Sequence, residues 1–319
     1  MPPLPLAEPL VFEPVFMERV WGGRQLETRY GKKLPPNVRI GESWEIVDRA
    51  EAQSVVRNGT WRGCTLHQLW TEHRREVFAG LAAAPRFPLL VKLIDAREKL
   101  SVQVHPPSKV AHEFGGEAKT EFWYIAEAAP GAELYVGLRK QCARPDFERA
   151  LRAGDVAEFI HRTPVKTGEA MFLPSGRVHA IGAGNLIVEI QQNSDTTYRV
   201  FDWNRSDTES KPRELHIEEA LRCIDFEDCR PALTRPAGEL LVRHSLFEVQ
   251  KWNLDSERAV APEGEFAIVF CLSGGISCAG VSLKPGGFFL VPSSLSDRLL
   301  KPLLHGTELL RVTIPRINL

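Results

Sequence analysis

Short runs of apolar residues, separated by glycine and proline, fill the chain between residues 88 and 202. Such runs are typical of strands in an antiparallel barrel, and they argue against the alternating strands and helices of a parallel dinucleotide-binding fold. Two segments instead have helical spacing: residues 66–79, which end at Gly80, and residues 145–151, which end near Gly154. The pattern predicts a mainly β fold decorated by a few helices.

Polar and aromatic side chains recur on one face of two predicted strands. Alternation puts an amide beside an imidazole in the first strand, and a lysine beside a carboxylate and an indole in the second. The side chains that share these faces are Ser101, Gln103 and His105 in the first strand and Lys119, Glu121 and Trp123 in the second. Because Glu121 stands in an aromatic run, we expect it to be partly buried and to need a cation or hydrogen-bond donors.

A third segment, residues 168–179, is an apolar strand that breaks at a Pro-Ser-Gly turn and then delivers His179. Taken singly, His105 or His179 would be read as an ordinary surface or hydrogen-bonded histidine. Together with Glu121 and Gln103 they form an oxygen- and nitrogen-donor set suited to zinc or another divalent metal. The sequence therefore predicts a metal centre made of these four residues.

The composition narrows the range of partners. Forty Lys and Arg residues against 41 Asp and Glu residues give a formal net charge of -1, so no broad basic field is available for nucleic acid or an anionic membrane. The N-terminus does not read as a secretory signal, and no apolar run approaches the roughly 20 residues of a membrane span. We therefore expect a cytoplasmic protein whose six cysteines, none in a Cys-x-x-Cys pair, are reduced thiols.

The segment from Gly168 to His179 follows the second cupin motif, which reads glycine, five residues, Pro-x-Gly, two residues and histidine, except that Ala183 stands where an asparagine is usual. The first cupin motif normally has two histidines spaced by one residue, whereas this chain has Gln103-x-His105. That difference resembles the short bacterial type I phosphomannose isomerases, which read Ser-x-Gln-x-His-Pro, then Lys-x-Glu-x-Trp-Tyr, then Pro-x-Gly-x-x-His-Ala. The matching positions run from about residue 20 to about residue 204.

This resemblance implies two cupin-type antiparallel β-barrels of the jelly-roll kind. It also implies an aldose-ketose isomerase that interconverts mannose 6-phosphate and fructose 6-phosphate through an enediolate. The family pattern assigns one Zn²⁺ ion per chain, or another divalent metal, to His105, Glu121 and His179. The fourth position belongs either to Gln103, as a weaker ligand through its amide oxygen, or to water.

The family also suggests roles for residues around the metal. Arg199 lies ten residues beyond Glu189, as in the family, where this arginine is assigned to catalysis or to stabilising substrate charge. We predict that Arg199 stabilises the enediolate oxyanion and that Lys119 or Glu189 carries the proton. The alternative for Arg199 is a salt bridge with Asp195 or Asp202.

Lys92 and Ser101 match family positions close to the phosphate, and an ammonium beside a hydroxyl is reasonable chemistry for an anion. The expected partner is thus a small sugar phosphate, and the expected assembly is a monomer or weak homodimer. Two rival functions stay open: a non-catalytic, metal-stabilised sugar-binding or regulatory cupin module, and a cupin oxygenase, although oxygenases generally use more histidines. Residues 107–109 and Ala118 depart from the family pattern, so a related phosphosugar is an alternative substrate.

A degenerate repeat lies in the last third of the chain. Residues 286–292 reproduce the Gly-to-Pro spacing of residues 168–174, but Asp297 stands at the position that matches His179. We therefore predict a metal-binding catalytic domain over residues 1–230 and a degenerate C-terminal barrel without metal over residues 231–319, since the Pro- and charge-rich stretch around this boundary is typical of a junction.

Overall fold

The structure is a computed structural model that describes residues 6–139, 143–205 and 211–315. Within these ranges it contains twenty strands and six α-helices, and all paired strands of its four sheets are antiparallel. The predicted mainly β fold is therefore confirmed.

Two sheets in the first part of the chain carry the predicted site residues on their strands or within two residues of a strand end. The first has six strands in the order β1-β2-β3-β10-β5-β8, and the second has five in the order β11-β4-β9-β6-β7. Their strands are β1 (Val15–Gly23), β2 (Ile40–Ile46), β3 (Leu89–Ala96), β4 (Val102–Val104), β5 (Glu121–Ala128), β6 (Glu133–Leu138), β7 (Ile160–Pro164), β8 (Ala170–Leu173), β9 (His179–Ile181), β10 (Asn185–Gln192) and β11 (Tyr198–Phe201).

The remaining strands form a second pair of sheets, in the orders β12-β13-β20-β15-β18 and β14-β19-β16-β17. They are β12 (Leu240–Arg243), β13 (Glu248–Leu254), β14 (Arg258–Ala259), β15 (Ala267–Cys271), β16 (Ile276–Cys278), β17 (Val281–Leu283), β18 (Phe288–Val291), β19 (Leu299–Pro302) and β20 (Thr307–Thr313). Apolar side chains such as Trp252, Val269 and Phe289 pack together between these sheets. The two pairs of sheets are the two barrels that the sequence predicts.

The two barrels share contacts that no boundary in the sequence indicates. Leu10, near the N-terminus, pairs with Leu290 on β18, and one hydrophobic cluster joins residues of both barrels, including Phe122 and Phe270. Residues just before the predicted boundary still contact the first barrel, since the Arg230 N–H donates to the Leu138 carbonyl. The division at residue 230 stays a prediction.

The helices lie outside the sheets. They are α1 (Gln25–Tyr30), α2 (Leu66–Glu72), α3 (Arg74–Phe78), α4 (Ser108–Ala111), α5 (Arg144–Ala153) and α6 (Ile217–Cys223). The helix predicted over residues 66–79 is two helices that meet at His73. Carbonyls of α3 accept hydrogen bonds from the backbone of residues 293 and 294 in the second barrel, a tertiary constraint that local periodicity does not encode.

No helix in the described ranges is long and apolar enough to cross a membrane. Five of the six cysteines lie in these ranges, and none of those five forms a disulfide. Cys142 lies outside the described residues.

Candidate active site

Three strand ends bring the predicted metal ligands together. His105 directly follows β4, Glu121 begins β5 and His179 begins β9. Gly176, in the turn before β9, adopts a left-handed conformation with φ of 91° and donates its N–H to the His105 carbonyl at 2.9 Å. The turn is thereby tied to the neighbouring ligand. One potential ligand atom from each of the three buried side chains lies within 4.8 Å of the others.

Backbone carbonyls orient both histidines. The Nδ1 atom of His105 lies 3.0 Å from the Thr196 carbonyl oxygen, and that of His179 lies 2.9 Å from the Arg177 carbonyl oxygen. A proton on each Nδ1 leaves both Nε2 atoms free to act as ligands, as in many metal-binding histidines. These Nε2 atoms lie 3.4 and 3.3 Å from the Glu121 carboxylate oxygens.

The charge balance of this cluster suits a divalent cation. Burial opposes ionisation of Glu121, but the Lys119 ammonium, at 3.1 Å, outweighs it and holds the pKa of the carboxyl well below its usual range. Burial, together with the Lys119 charge, lowers the pKa of His105 to about 3. Burial also lowers the pKa of His179. The set is therefore a carboxylate and two neutral imidazoles, the protonation states in which these groups bind metals.

Buried atoms that lack hydrogen-bond partners show whether these residues suit a bound metal ion. Among the described residues, both carboxylate oxygens of Glu121 and the Nε2 atom of His105 are buried without a hydrogen-bond partner. Leaving such atoms unpaired costs free energy, which a bound cation would recover. The residues present therefore fit a divalent metal ion.

Gln103 lies beside this triad. Its amide nitrogen is 3.3 Å from the His179 Nε2 atom, and the two residues are paired across β4 and β9. A half-turn of the amide group would direct its oxygen to the same place. The position suits the predicted fourth ligand, and that role stays a prediction.

A row of four side chains crosses the six-stranded sheet next to the triad. Trp44 on β2 pairs with Lys92 on β3, Lys92 pairs with Glu189 on β10, and Glu189 pairs with Trp123 on β5. The Lys92 ammonium lies 2.8 Å from Glu189, and the Trp123 indole N–H donates to Glu189 at 2.7 Å. Burial raises the pKa of the Glu189 carboxyl.

A cavity of about 420 Å³ opens between the two sheets of the first barrel. Six of the nine predicted site residues line this cavity: Lys92, Ser101, Gln103, Lys119, Glu189 and Arg199. The other three are the buried triad. The triad adjoins the cavity, since the Trp123 ring in the cavity wall meets the His179 ring at a centroid distance of 5.2 Å. The structure thus brings all nine residues to one place.

The contacts of Arg199 do not include the alternative predicted from the sequence, a salt bridge with Asp195 or Asp202. The Asp202 carboxylate is bound by Arg205 and Arg213. Arg199 donates from Nη1 to the Glu214 carbonyl at 2.8 Å, and its buried Nε atom has no hydrogen-bond partner among the described residues. Burial and the Arg213 charge lower the pKa of Arg199. A donor is therefore available at the cavity wall.

Five further charged residues in the cavity wall were not predicted as site residues: Glu18, Arg19, Glu42, Asp195 and Arg213. Glu42 is a buried carboxylate next to Trp44 in the buried strand β2, so the argument that singled out Glu121 beside aromatic residues would also have applied to Glu42. Arg213 lies just before α6 in an irregular segment. No periodic pattern marks it.

Comparison with known proteins gives consistent matches. The family model "Phosphomannose isomerase type I, catalytic domain" matches residues 10–141. The mannose-6-phosphate isomerase ManA of Bacillus subtilis is 38% identical over 303 residues, which cover 91% of this chain and 95% of that protein. The mannose-6-phosphate isomerase of Streptococcus mutans is 36% identical over 305 residues, covering 92% and 95%.

Solved structures extend the comparison to the fold. The crystal structure of the mannose 6-phosphate isomerase from B. subtilis superposes with a TM-score of 0.86 at 34% identity and covers 96% of this chain and 100% of that chain. A variant of the phosphomannose isomerase from Salmonella typhimurium has a TM-score of 0.75 at 17% identity, covering 96% and 99%. That second likeness concerns the fold alone.

Proposed function

The chain belongs to the type I phosphomannose isomerases, and we propose that it interconverts mannose 6-phosphate and fructose 6-phosphate through an enediolate in the cavity beside the buried triad. The observation that carries this proposal is the buried set of Glu121 and His105 atoms without hydrogen-bond partners, next to a cavity lined by both basic and acidic side chains. An aldose-ketose isomerase needs this combination: a metal centre for a polarised carbonyl, groups that move a proton, and positive charge for an anionic substrate.

His105, Glu121 and His179 would hold the metal, which we propose to be one Zn²⁺ ion per chain, and Gln103 would complete the set. When bound, such an ion polarises the sugar carbonyl and stabilises negative charge on the reacting oxygens. The neighbouring Lys119, 3.1 Å from Glu121, balances the carboxylate and lies in the cavity wall, where it can donate a hydrogen bond to a sugar oxygen.

Proton transfer between the two reacting carbons requires a base that faces the sugar. The sequence left Lys119 and Glu189 as candidates. Contacts favour Glu189, because Lys119 is paired with Glu121 at 3.1 Å, whereas Glu189 is a buried carboxylate in the cavity wall. Burial raises the pKa of Glu189. Its partner Lys92, at 2.8 Å, can stabilise the carboxylate when the proton has left.

Arg199 would stabilise the oxyanion of the enediolate. Its spare Nε donor and its place in the cavity wall support this role. The guanidinium is held from the far side by the Glu214 carbonyl, so the donor is fixed before the substrate arrives.

The phosphate needs an excess of positive charge. Lys92, the residue first predicted there, lies between Glu189 and Glu42 and is already neutralised. The opposite wall has Arg213 and Arg199 in the cavity, with Asp202 as their neighbouring carboxylate. We therefore place the phosphate at Arg213, with the Ser101 hydroxyl as a further donor.

Conversion of mannose 6-phosphate by the purified protein, followed by coupled detection of fructose 6-phosphate, tests the function. Turnover that is lost on chelation and restored by Zn²⁺ is the expected result. Saturable sugar-phosphate binding without turnover would show a binding module instead.

We also propose that the protein is cytoplasmic, which cell fractionation tests. We further propose that it is a monomer or a weak homodimer, which analytical ultracentrifugation tests.

A further inference from the structure

Lys92 lies between two buried carboxylates on the cavity wall. Its ammonium nitrogen is 2.8 Å from Glu189 and 3.8 Å from Glu42. The first distance is a close ion pair and the second is a longer one. Burial opposes the positive charge, but the two carboxylates outweigh it and raise the pKa of Lys92 above its usual range. Both contacts therefore keep the ammonium charged.

An indole N–H fixes each of these carboxylates. Trp123 donates to Glu189 at 2.7 Å, and Trp44 donates to Glu42 at 2.7 Å. Trp44 also lies opposite Lys92 across β2 and β3, with the ammonium 5.7 Å from its ring centroid. The two carboxylates are thus oriented by rigid neighbours before any ligand binds.

Glu42 connects the Lys92–Glu189 ion pair to Arg19 at the mouth of the cavity. Arg19, whose side chain is 28% exposed, donates from Nε to Glu42 at 3.0 Å. Lys92 and Arg19 lower the pKa of Glu42 to about 2 against the opposing effect of burial. The carboxylate is therefore ionised at any working pH. Arg19, Glu42, Lys92 and Glu189 alternate in charge from the mouth to the interior, so a change at Glu42 alters the field on the Lys92–Glu189 pair.

We propose that Glu42 is a positioning residue of this isomerase, which holds the Lys92 ammonium against Glu189 so that the pair is set for proton transfer. The proposal rests on the proposed function, because Glu189 is the base only if the cavity isomerises a sugar. Glu42 need not touch the reacting atoms. Without its charge, Lys92 loses one of its two anionic contacts and is free to turn away from Glu189 towards the cavity.

Glu42→Gln tests this role, because it removes the charge and keeps an oxygen that can accept from Trp44. We expect kcat to fall roughly tenfold or more while KM changes by less than about twofold. The matched control is Glu45→Gln. Glu45 is a buried carboxylate on the same strand, paired with Lys32 at 2.6 Å, but it does not line the cavity. The Glu45→Gln substitution should therefore leave kcat nearly unchanged.

A second readout is independent of turnover. An amine-acylating reagent, followed by mass spectrometry, reports how available the Lys92 amine is. Labelling of Lys92 should be faster in Glu42→Gln than in the wild type and unchanged in Glu45→Gln. If wild-type protein fails to turn over mannose 6-phosphate, the proposed function fails, whereas the labelling still measures the contact between Glu42 and Lys92.

Three results would overturn the proposal: equal losses of kcat in both variants, a rise in KM at constant kcat in Glu42→Gln, or unchanged labelling of Lys92. If Glu42→Gln does not fold, Glu42→Asp decides. It keeps the charge on a side chain one methylene shorter, so kcat should fall and Lys92 labelling should rise. Wild-type values for both would refute a positioning role.

Discussion

Arg199 on β11 lies opposite Gln103 on β4, and Gln103 lies opposite His179 on β9. Neighbouring strands are about 4.8 Å apart, so two strand pairs set the position of the guanidinium relative to the histidine of the triad. Register, rather than a flexible loop, therefore aligns the proposed oxyanion donor with the proposed metal ligands. A slip of one residue would turn Arg199 to the other face of the sheet.

Arg199→Ala should depress kcat by roughly a hundredfold or more, because it removes charge stabilisation that is needed mainly in the enediolate-like transition state. KM and metal content should change much less. Steady-state kinetics with elemental analysis measure both. Arg152→Ala, at an exposed arginine paired with Glu218, is the control. Normal turnover in Arg199→Ala would leave Lys119 as the catalytic cation.

Purified protein should contain about one divalent ion per chain, and a chelator should lower its melting temperature, because metal that binds only the folded chain stabilises it. Glu121→Gln should weaken binding more than Gln103→Ala, since it removes the formal negative charge of the set. Elemental analysis and thermal unfolding with added Zn²⁺ provide the measurement. Protein purified without chelator that contains no metal would contradict the site.

Period-two alternation put Gln103 beside His105 and Lys119 beside Glu121, whereas His179 was predicted from the Pro-Ser-Gly turn that precedes it and from the family resemblance. Alternation alone does not show which strands meet. It could not place Arg213, whose position depends on the irregular segment before α6 packing along β11, where His216 donates its N–H to the Arg199 carbonyl. It also could not show that Lys92 is already neutralised by Glu42 and Glu189, because strand order, unlike alternation, is a tertiary property.

Stability should depend on pH through Asp95. This buried carboxylate accepts the Gln25 N–H at 2.6 Å at the start of α1, and burial raises its pKa from 3.8 to about 6. The folded state binds the proton more tightly than the unfolded state. The stabilisation is therefore complete below about pH 3.8 and is lost as pH rises through about 6. It amounts to about 1 to 3 kcal/mol.

Asp95→Asn has no titrating carboxyl, so its free energy of unfolding should lack this contribution. The wild-type value minus the variant value should fall between pH 4 and pH 7.5, as measured by urea unfolding at both pH values. Taking this difference cancels the titration of groups that the two proteins share. A difference that stays constant or rises with pH would show that folding does not raise the pKa of Asp95.

The place of the phosphate can be decided by comparing Arg213→Ala with Lys92→Ala. A phosphate contact is present in both the ground state and the transition state, so its loss raises KM and leaves kcat nearly unchanged. We expect that behaviour for Arg213→Ala, together with weaker competitive inhibition by inorganic phosphate. Lys92→Ala should instead lower kcat, because it removes the cation that lies between the buried Glu42 and Glu189 carboxylates. The reverse pattern, with KM raised by Lys92→Ala and kcat lowered by Arg213→Ala, would return the phosphate to the Lys92 side of the cavity.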